Sequence, residues 1–557
     1  MLFSPKHVAG EKAMLKDLYA GLRAAGRPRV DQALEIELVF AEARTEDALR
    51  EALVALLPES DPDVESAFGE DLDRFLFVSF PEIRATGQEA EVFALARALR
   101  PAIGAEQANP VLDDSLYGAM AVGAADDESF LVSCETPRNS DLAFGWVHPV
   151  IDTIGAWSHT RGAGAMVAVI DTGHSSHQEL LGSIRSTGQL NLVEGGSDAR
   201  DRFSSGFMSN PGHGTLVCSV VAARGTADAA GNTGGPGAVT GAAPDATVLP
   251  IRAIRSVVSF RQRTLPRAIA HAANQGADVI AMALGGPTRV AATERALRDA
   301  MGAGVVIICA AGNCWPRVVF PAAYAANGLC TAVAALTHTL APWDKTGRGP
   351  EVTLSAPGEN VWGAAKNSAN DPDNGIRASQ GTTLATSLTA GVAALWCARH
   401  GGRSALFQDA QAAGTTVQAM WTRCATEGLQ RPALWGSAHL GAGVLNAGAA
   451  LQASLPTAAT GLEAVAEANL PPGGVETTAN IYQTHLANHD PDALPEFTAE
   501  LADFAPELLW RSHRVAAKSR AAVSLGDEAV ITPDRPSPEL ARMLADRPAL
   551  RAAAGLF

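Results

Sequence analysis

No stretch of this 557-residue chain is apolar for long enough to span a membrane, and no repeat or low-complexity tract interrupts it. The opening Met1-Leu2-Phe3-Ser4-Pro5-Lys6-His7 runs into charged residues without the apolar core of a secretory leader, so a cytoplasmic protein is expected. Basic residues are too few for a basic binding face: Lys and Arg total 43 against 59 Asp and Glu, a formal charge of −16. Nucleic acid and anionic membrane are therefore excluded as partners. Cysteine is sparse and odd in number, at 134, 218, 309, 314, 330, 397 and 424, with no C-x-x-C pair. That pattern reads as buried free thiols rather than a disulfide framework. Cys314, directly after Asn313, is the thiol to watch for reactivity.

Apolar residues make up 47% and charged residues 18%, ample for a large core divided among two or three domains. Residues 1–112 read as a small α/β unit. Leu34-Glu35-Ile36-Glu37-Leu38 alternates like a half-buried strand, Ala48 to Leu57 has helical spacing, and Phe75 to Phe80 is strand-like. Glu89 to Leu99 is helical again, and a last strand falls between Ala102 and Val111. Residues 113–143 form a linker. From 144 to 455 continuous apolar runs alternate with Ala-rich helical segments: Met166 to Ile170, Val248 to Ile254, Val279 to Leu284 and Gly304 to Cys309. Such runs suit strands buried on both faces, with Leu265 to Gln275 and Thr293 to Met301 as crossover helices. The expectation is a doubly wound, mainly parallel α/β sheet. Residues 456–557 open on Pro456, Thr457 and Pro471-Pro472-Gly473-Gly474 and continue as a mostly helical extension without a motif.

Three strand or helix ends carry chemistry. The run Met166–Ile170 ends in Asp171-Thr172-Gly173, where a carboxylate faces the functional crevice and can orient an imidazole. An aspartic-protease reading would need a second Asp-Thr-Gly, and none exists. Gly212-His213-Gly214-Thr215 places an imidazole in the first turn of a helix, between glycines that permit close backbone approach. Val305 to Cys309 leads into Ala310-Ala311-Gly312-Asn313, an amide at a strand end that can serve an oxyanion or cap a turn.

Together with Gly381-Thr382-Thr383-Leu384-Ala385 and the continuation Ala390-Gly391-Val392-Ala393-Ala394-Leu395, these segments resemble the subtilisin-like serine peptidases. Gly241-Ala242-Ala243-Pro244, Ala283-Leu284-Gly285-Gly286, Ala356-Pro357-Gly358 and Gly441 to Ala447 follow in the same order, so the likeness spans about 144–455. It implies an Asp…His…nucleophile triad of Asp171, His213 and residue 383, with Asn313 at the oxyanion. It further implies Ala283, Leu284 and Gly285 as a backbone edge for an extended peptide or protein substrate, and no cofactor beyond structural calcium whose ligands cannot be assigned; the β-α-β-α-β order of 1–112 is similar to the family's inhibitory prodomains, with an unrelated interaction domain as the alternative. Thr383 stands where the family has serine. Its extra methyl restricts χ1 and crowds the base, so a slow or narrowly specific endopeptidase is expected, with a silent peptide-binding relative as the alternative. Ser379 and Ser387 flank the turn and are poorly placed to substitute.

Overall fold

A computed structural model describes residues 5–25, 33–112, 141–204, 209–225, 239–257, 262–427, 429–432, 435, 439–457, 474–525 and 535–556. The expected linker falls largely outside the described residues, as does Cys134. Two compact units divide the chain: one draws on Met1–Ala125, Pro287–Ala292 and Gly473–Phe557, the other on Asp126–Gly286 and Thr293–Pro472.

In the first unit, α1 (Pro5–Ala24), which the apolar spacing does not announce, precedes β1 (Ala33–Arg44), α2 (Glu46–Leu56), β2 (Asp63–Ser66), β3 (Asp73–Arg84), α3 (Glu89–Ala102) and β4 (Gln107–Val111). The strands form an antiparallel sheet in the order β2-β3-β1-β4. Thr45 caps α2 by accepting from the Ala48 N–H, and Leu49 and Leu53 bury its inner face.

The alternation in β1 predicts one wet face, yet Glu35 and Glu37 are both buried. Glu37 explains itself: its carboxylate accepts from Asn109 Nδ2 at 3.1 Å and from the N–H groups of Ala291 and Ala292 at 2.9 and 2.7 Å. Burial still holds its carboxyl above the ordinary range, although Arg289 and these donors pull the other way.

The C-terminal helices, Thr478–His489 and Ala505–Leu525 the longest, fall in this same unit. Phe93 of α3 meets Trp510 edge to face at 5.7 Å. Arg97 pairs with Glu539 and the buried Glu507, and Arg100 with Asp503. Sequence composition breaks at 456 because a Pro/Gly-rich stretch begins there; side-chain partners decide where the helices pack.

The second unit is built on a parallel sheet of seven strands, β5 (Met166–Asp171), β6 (Leu190–Asn191), β7 (Thr247–Arg252), β8 (Val279–Met282), β9 (Val306–Ala310), β10 (Thr331–Leu336) and β11 (Leu354–Pro357). Their order is β11-β10-β9-β8-β5-β7-β6. A hairpin of β12 (Val361–Ala364) and β13 (Ile376–Ser379) lies beside it in sequence.

One face of alternate residues, Val167, Val169, Val248, Val279, Ala281, Val306, Ile308, Val333 and Ala335, packs on α4 (His213–Ala222) and the long α5 (Thr382–Arg399). Every residue of α5 from Thr382 to Cys397 is buried, which is why its sequence shows no charged face, only small, apolar and hydroxyl side chains on all sides up to Cys397. Residues of the opposite parity, such as Ala168, Ile170, Leu249 and Ile280, are buried on the other face. Both faces are thus covered, as the uninterrupted apolar runs require.

His148 illustrates the dryness of this unit. It is buried, with Nδ1 at 2.8 Å from Thr153 Oγ1 and Nε2 at 3.1 Å from Thr240 O. Burial, aided by Arg161, pushes its pKa down to about 4. The folded state therefore holds it neutral, while the unfolded chain protonates it below about 6.5. Stability from this group is complete above pH 6.5 and is lost as pH falls toward 4. Between pH 7.5 and 5 it accounts for about 2 kcal/mol of lost unfolding free energy, and His148→Asn should flatten the urea-unfolding pH profile by that amount. An unchanged slope in the variant would refute the assignment.

Candidate active site

The triad forms at the carboxyl ends of the parallel strands, where the crevice of an open α/β sheet lies. Asp171, fully buried, closes β5. His213 begins α4, and its glycine neighbours are required by space. A Cβ on Gly214 would come within 2.0 Å of Gly173 O, and one on Gly212 within 1.6 Å of Lys366 O at a φ of +79°. His213 Nδ1 lies 2.8 Å from Asp171 Oδ1, and Nε2 lies 3.2 Å from Thr383 Oγ1. The same Asp171 oxygen also accepts the Thr172 N–H at 2.7 Å. A carboxylate, an imidazole and a hydroxyl thus form one hydrogen-bonded line, with His213 only 6% exposed.

Asn313 follows β9 and is locked to the turn that opens α5. Its Oδ1 accepts from both Thr382 N–H and Thr382 Oγ1 at 2.8 Å. That leaves its amide nitrogen as the donor beside residue 383. Ser387 is buried one turn along α5 and donates to Thr383 O at 2.7 Å, away from the imidazole. Ser379, on β13, accepts from Arg377 Nε at 3.2 Å. Among the described residues the hydroxyl that meets His213 is that of Thr383.

Ala283, Leu284 and Gly285 continue β8 into the crevice and are buried or nearly so. The Gly285 N–H donates to Val257 O at a long 3.4 Å, and Gly286 exchanges two backbone bonds with Phe320 at 2.9 and 2.8 Å. Val319 sits beneath this edge: a Cβ on Gly285 would lie 2.3 Å from its Cγ2, and one on Gly312 would lie 3.1 Å from both of its methyls. The space between the β8 and β9 extensions is therefore occupied by a valine side chain.

Cysteine expectations divide. Cys218, Cys309, Cys330, Cys397 and Cys424 are free and buried; burial pushes the thiols of Cys218, Cys309, Cys397 and Cys424 up, with Asp171 adding to the effect at Cys218. Cys314 is instead disulfide-bonded, so it is not a reactive thiol. Sequence spacing could not reveal this, because pairing depends on Cα atoms brought together by the fold. Among the described residues no group of three or more His, Cys, Asp or Glu side chains could hold a metal ion.

Sequence reading missed the ionic network behind the triad. Asp201 Oδ2 accepts from Thr172 Oγ1 at 3.0 Å and from the Gly212 N–H at 2.7 Å, while Thr172 Oγ1 accepts from the Gly214 N–H at 3.0 Å. One carboxylate thereby ties the loop after Asp171 to the start of the His213 helix. Arg252, 1% exposed, lies 3.5 Å from Asp201 and pairs with Glu194 through two contacts of 2.7 and 2.8 Å. The only trace in the sequence is a charged patch, Asp198-Ala199-Arg200-Asp201-Arg202, indistinguishable from a solvated loop. Removing Asp201 leaves the Thr172 hydroxyl and the Gly212 N–H without their acceptor and takes from Arg252 one of its two carboxylate neighbours. Asp201→Ala should lower the unfolding free energy by about 3 kcal/mol in urea titration, and a loss under about 1 kcal/mol would show the network to be incidental.

Residues 162–440 match the family model described as the subtilase family, Peptidase_S8. Thermitase of Thermoactinomyces vulgaris is 32% identical over 251 residues, covering 45% of this chain and 80% of the relative. The intracellular serine protease of Paenibacillus polymyxa is 29% identical over 268 residues, 47% of this chain and 72% of that protein. Among solved structures, a protease of Pseudoalteromonas arctica PAMC 21717 superposes with a TM-score of 0.44 at 24% identity, over 57% of this chain and 98% of that one. With half its length matching the family model and its acid, base and hydroxyl meeting in that family's chain order, this chain belongs to the subtilase family of serine-type peptidases.

Proposed function

We propose that this chain hydrolyses peptide bonds slowly or within a narrow substrate range, with Thr383 as nucleophile. The observation that carries the reading is the 3.2 Å separation between His213 Nε2 and Thr383 Oγ1, behind which Asp171 holds Nδ1 at 2.8 Å. Thr383 Oγ1 attacks the scissile carbonyl carbon as His213 Nε2 takes its proton. The amide of Asn313 donates to the developing oxyanion. The C–N bond breaks as His213 returns the proton to the leaving amine, and water then cleaves the acyl-threonine ester with His213 again as base. The Asp171 carboxylate orients and stabilises the imidazolium throughout. No step calls on a cofactor.

The threonine methyl is the throttle. A misplacement of about 1 Å at a reacting centre costs on the order of 10²-fold, and the 3.2 Å contact leaves little room beside a buried imidazole. Backbone of Ala283, Leu284 and Gly285 would line the acyl side of an extended peptide, once its pairing with Val257 is exchanged for the substrate. Val319 fills the gap beneath that edge, so the acyl-side residue next to the cleaved bond is read as small, such as Gly or Ala.

Thr383→Ser should raise hydrolysis of a peptide library at least tenfold, up to the order of 10², and speed labelling of residue 383 by a fluorophosphonate. Thr383→Ala should abolish both. Absence of hydrolysis and of labelling in the native chain and the serine variant alike would overturn the enzymatic reading. Turnover by the serine variant alone would instead make the native protein a peptide binder.

A further inference from the structure

The turn that follows β5 is bonded to the hairpin lining the active-site cavity, and a histidine makes the bond. The cavity measures about 230 Å³; Asn367, Arg377, Ser379 and Gln380, of the β12–β13 hairpin and its end, line it together with His213 and Thr383. His177, 1% exposed, caps the short 3₁₀ turn Gln178–Leu180, its Nδ1 accepting the Glu179 N–H at 3.2 Å. Its other ring nitrogen, Nε2, lies 2.8 Å from Gly375 O in the loop between β12 and β13. In the same loop Asp373 O accepts the Gln178 N–H at 2.6 Å, and Gly375 O also accepts the Ala365 N–H at 2.8 Å.

These partners fix the protonation of the ring. A backbone N–H only donates, so Nδ1 must be bare; a carbonyl only accepts, so Nε2 must carry the proton. His177 is therefore held neutral, as its Nε2–H tautomer. A second proton at Nδ1 would face the Glu179 N–H, donor against donor, and would leave a charge in a buried place. The charged groups around it are engaged elsewhere. From the hairpin loop, Asp373 pairs with Lys366 at 2.7 Å, and Asp371 accepts from Ser368 and from the N–H of Asn367. On the turn itself, the Glu179 carboxylate accepts the Val239 N–H at 2.8 Å. Helix α4, packed against this turn, carries no charged side chain after His213. Burial lowers the His177 pKa from its ordinary value and Lys366 acts the same way, while Gly375 and Asp373 oppose them.

Neither Asn313 nor Ala283, Leu284 and Gly285 lines the cavity, so it lies apart from the groups assigned to the acyl side. His213, which returns its proton to the leaving amine, does border it. We propose that His177, as its neutral Nε2–H tautomer, is a positioning residue that holds the hairpin wall of this cavity for the residues following the cleaved bond. Protonation removes the Nδ1 contact and draws the charged ring toward water, so the bond to Gly375 is lost with it. The tie is complete above pH about 6.5 and weakens as pH falls through the lowered folded value. The positioning role rests on geometry alone; its effect on turnover rests on the peptidase reading above.

The first test uses the full native chain and follows amide exchange of residues 365–375 by mass spectrometry, corrected for intrinsic rates, from pH about 7.5 to about 5. Protection should fall about fivefold on acidification, the effect of losing one net hydrogen bond. His177→Gln puts an amide nitrogen near the Nε2 position and cannot titrate, so its protection should stay flat. His177→Asn keeps a cap near the Nδ1 position without reaching Gly375, so its hairpin should exchange about fivefold faster at every pH. Exchange in β8 should match the native chain in both variants, which separates a loosened hairpin from a misfolded protein. The second test adds Thr383→Ser to each background. The KM of a peptide that continues past the cut should rise on acidification in the presence of His177 and hold in the His177→Gln variant. A peptidyl anilide ending at the leaving amine should show no such rise, and titration of His213 should move kcat alike in both backgrounds. Acid-loosened exchange that persists in His177→Gln, or native protection in His177→Asn, overturns the proposal. Equal pH dependence of KM for the two substrates overturns the positioning role for the substrate. If nothing is cleaved the peptidase reading falls, and amide exchange decides the tie by itself.

Discussion

The hydrogen bond from His213 to the buried Asp171 carboxylate is the constraint on which the site depends. A carboxylate at the closed end of a strand is costly unless something accepts its charge in a fixed direction. Here that direction is enforced twice. The imidazole and the Thr172 N–H share Asp171 Oδ1, and behind them Asp201 clamps Thr172 and Gly212 into one arrangement. The imidazole is thereby fixed against Asp171 on one side and faces the Thr383 hydroxyl on the other.

At that position the chain carries a branched alcohol inside a fully buried helix. The backbone around Thr383 has little capacity to adapt, since Thr382 is bound to Asn313 and Ser387 is bonded back to the Thr383 carbonyl. A methyl group in this setting must fit among neighbours that are packed closely and bonded in place. The same economy of space recurs at the end of β8, where Val319 occupies the gap between Gly285 and Gly312.

The disulfide at Cys314 adds a boundary condition. Disulfides persist in oxidising surroundings, and the bond at Cys314 sets that residue apart from the five buried free thiols. Among the described residues no helix is long and apolar enough to cross a membrane.

Local pattern determined much of this protein. Uninterrupted apolar runs mark strands covered on both faces, the strand ends place Asp171 and Asn313 at one edge, and glycines around His213 announce a crowded helix start. These are short-range signals, because side-chain period and backbone sterics act within a few residues. Other features arise only when distant segments meet. The burial of Glu37 depends on the amides of residues 291 and 292, and Asp201 becomes a clamp through Thr172 and Arg252. Val319 matters because two glycines flank it, and the helices after 474 join the N-terminal sheet through Trp510 and Glu507. A charge has no partner until the chain is folded, and electrostatic environment is a property of three-dimensional neighbours, which no local pattern encodes.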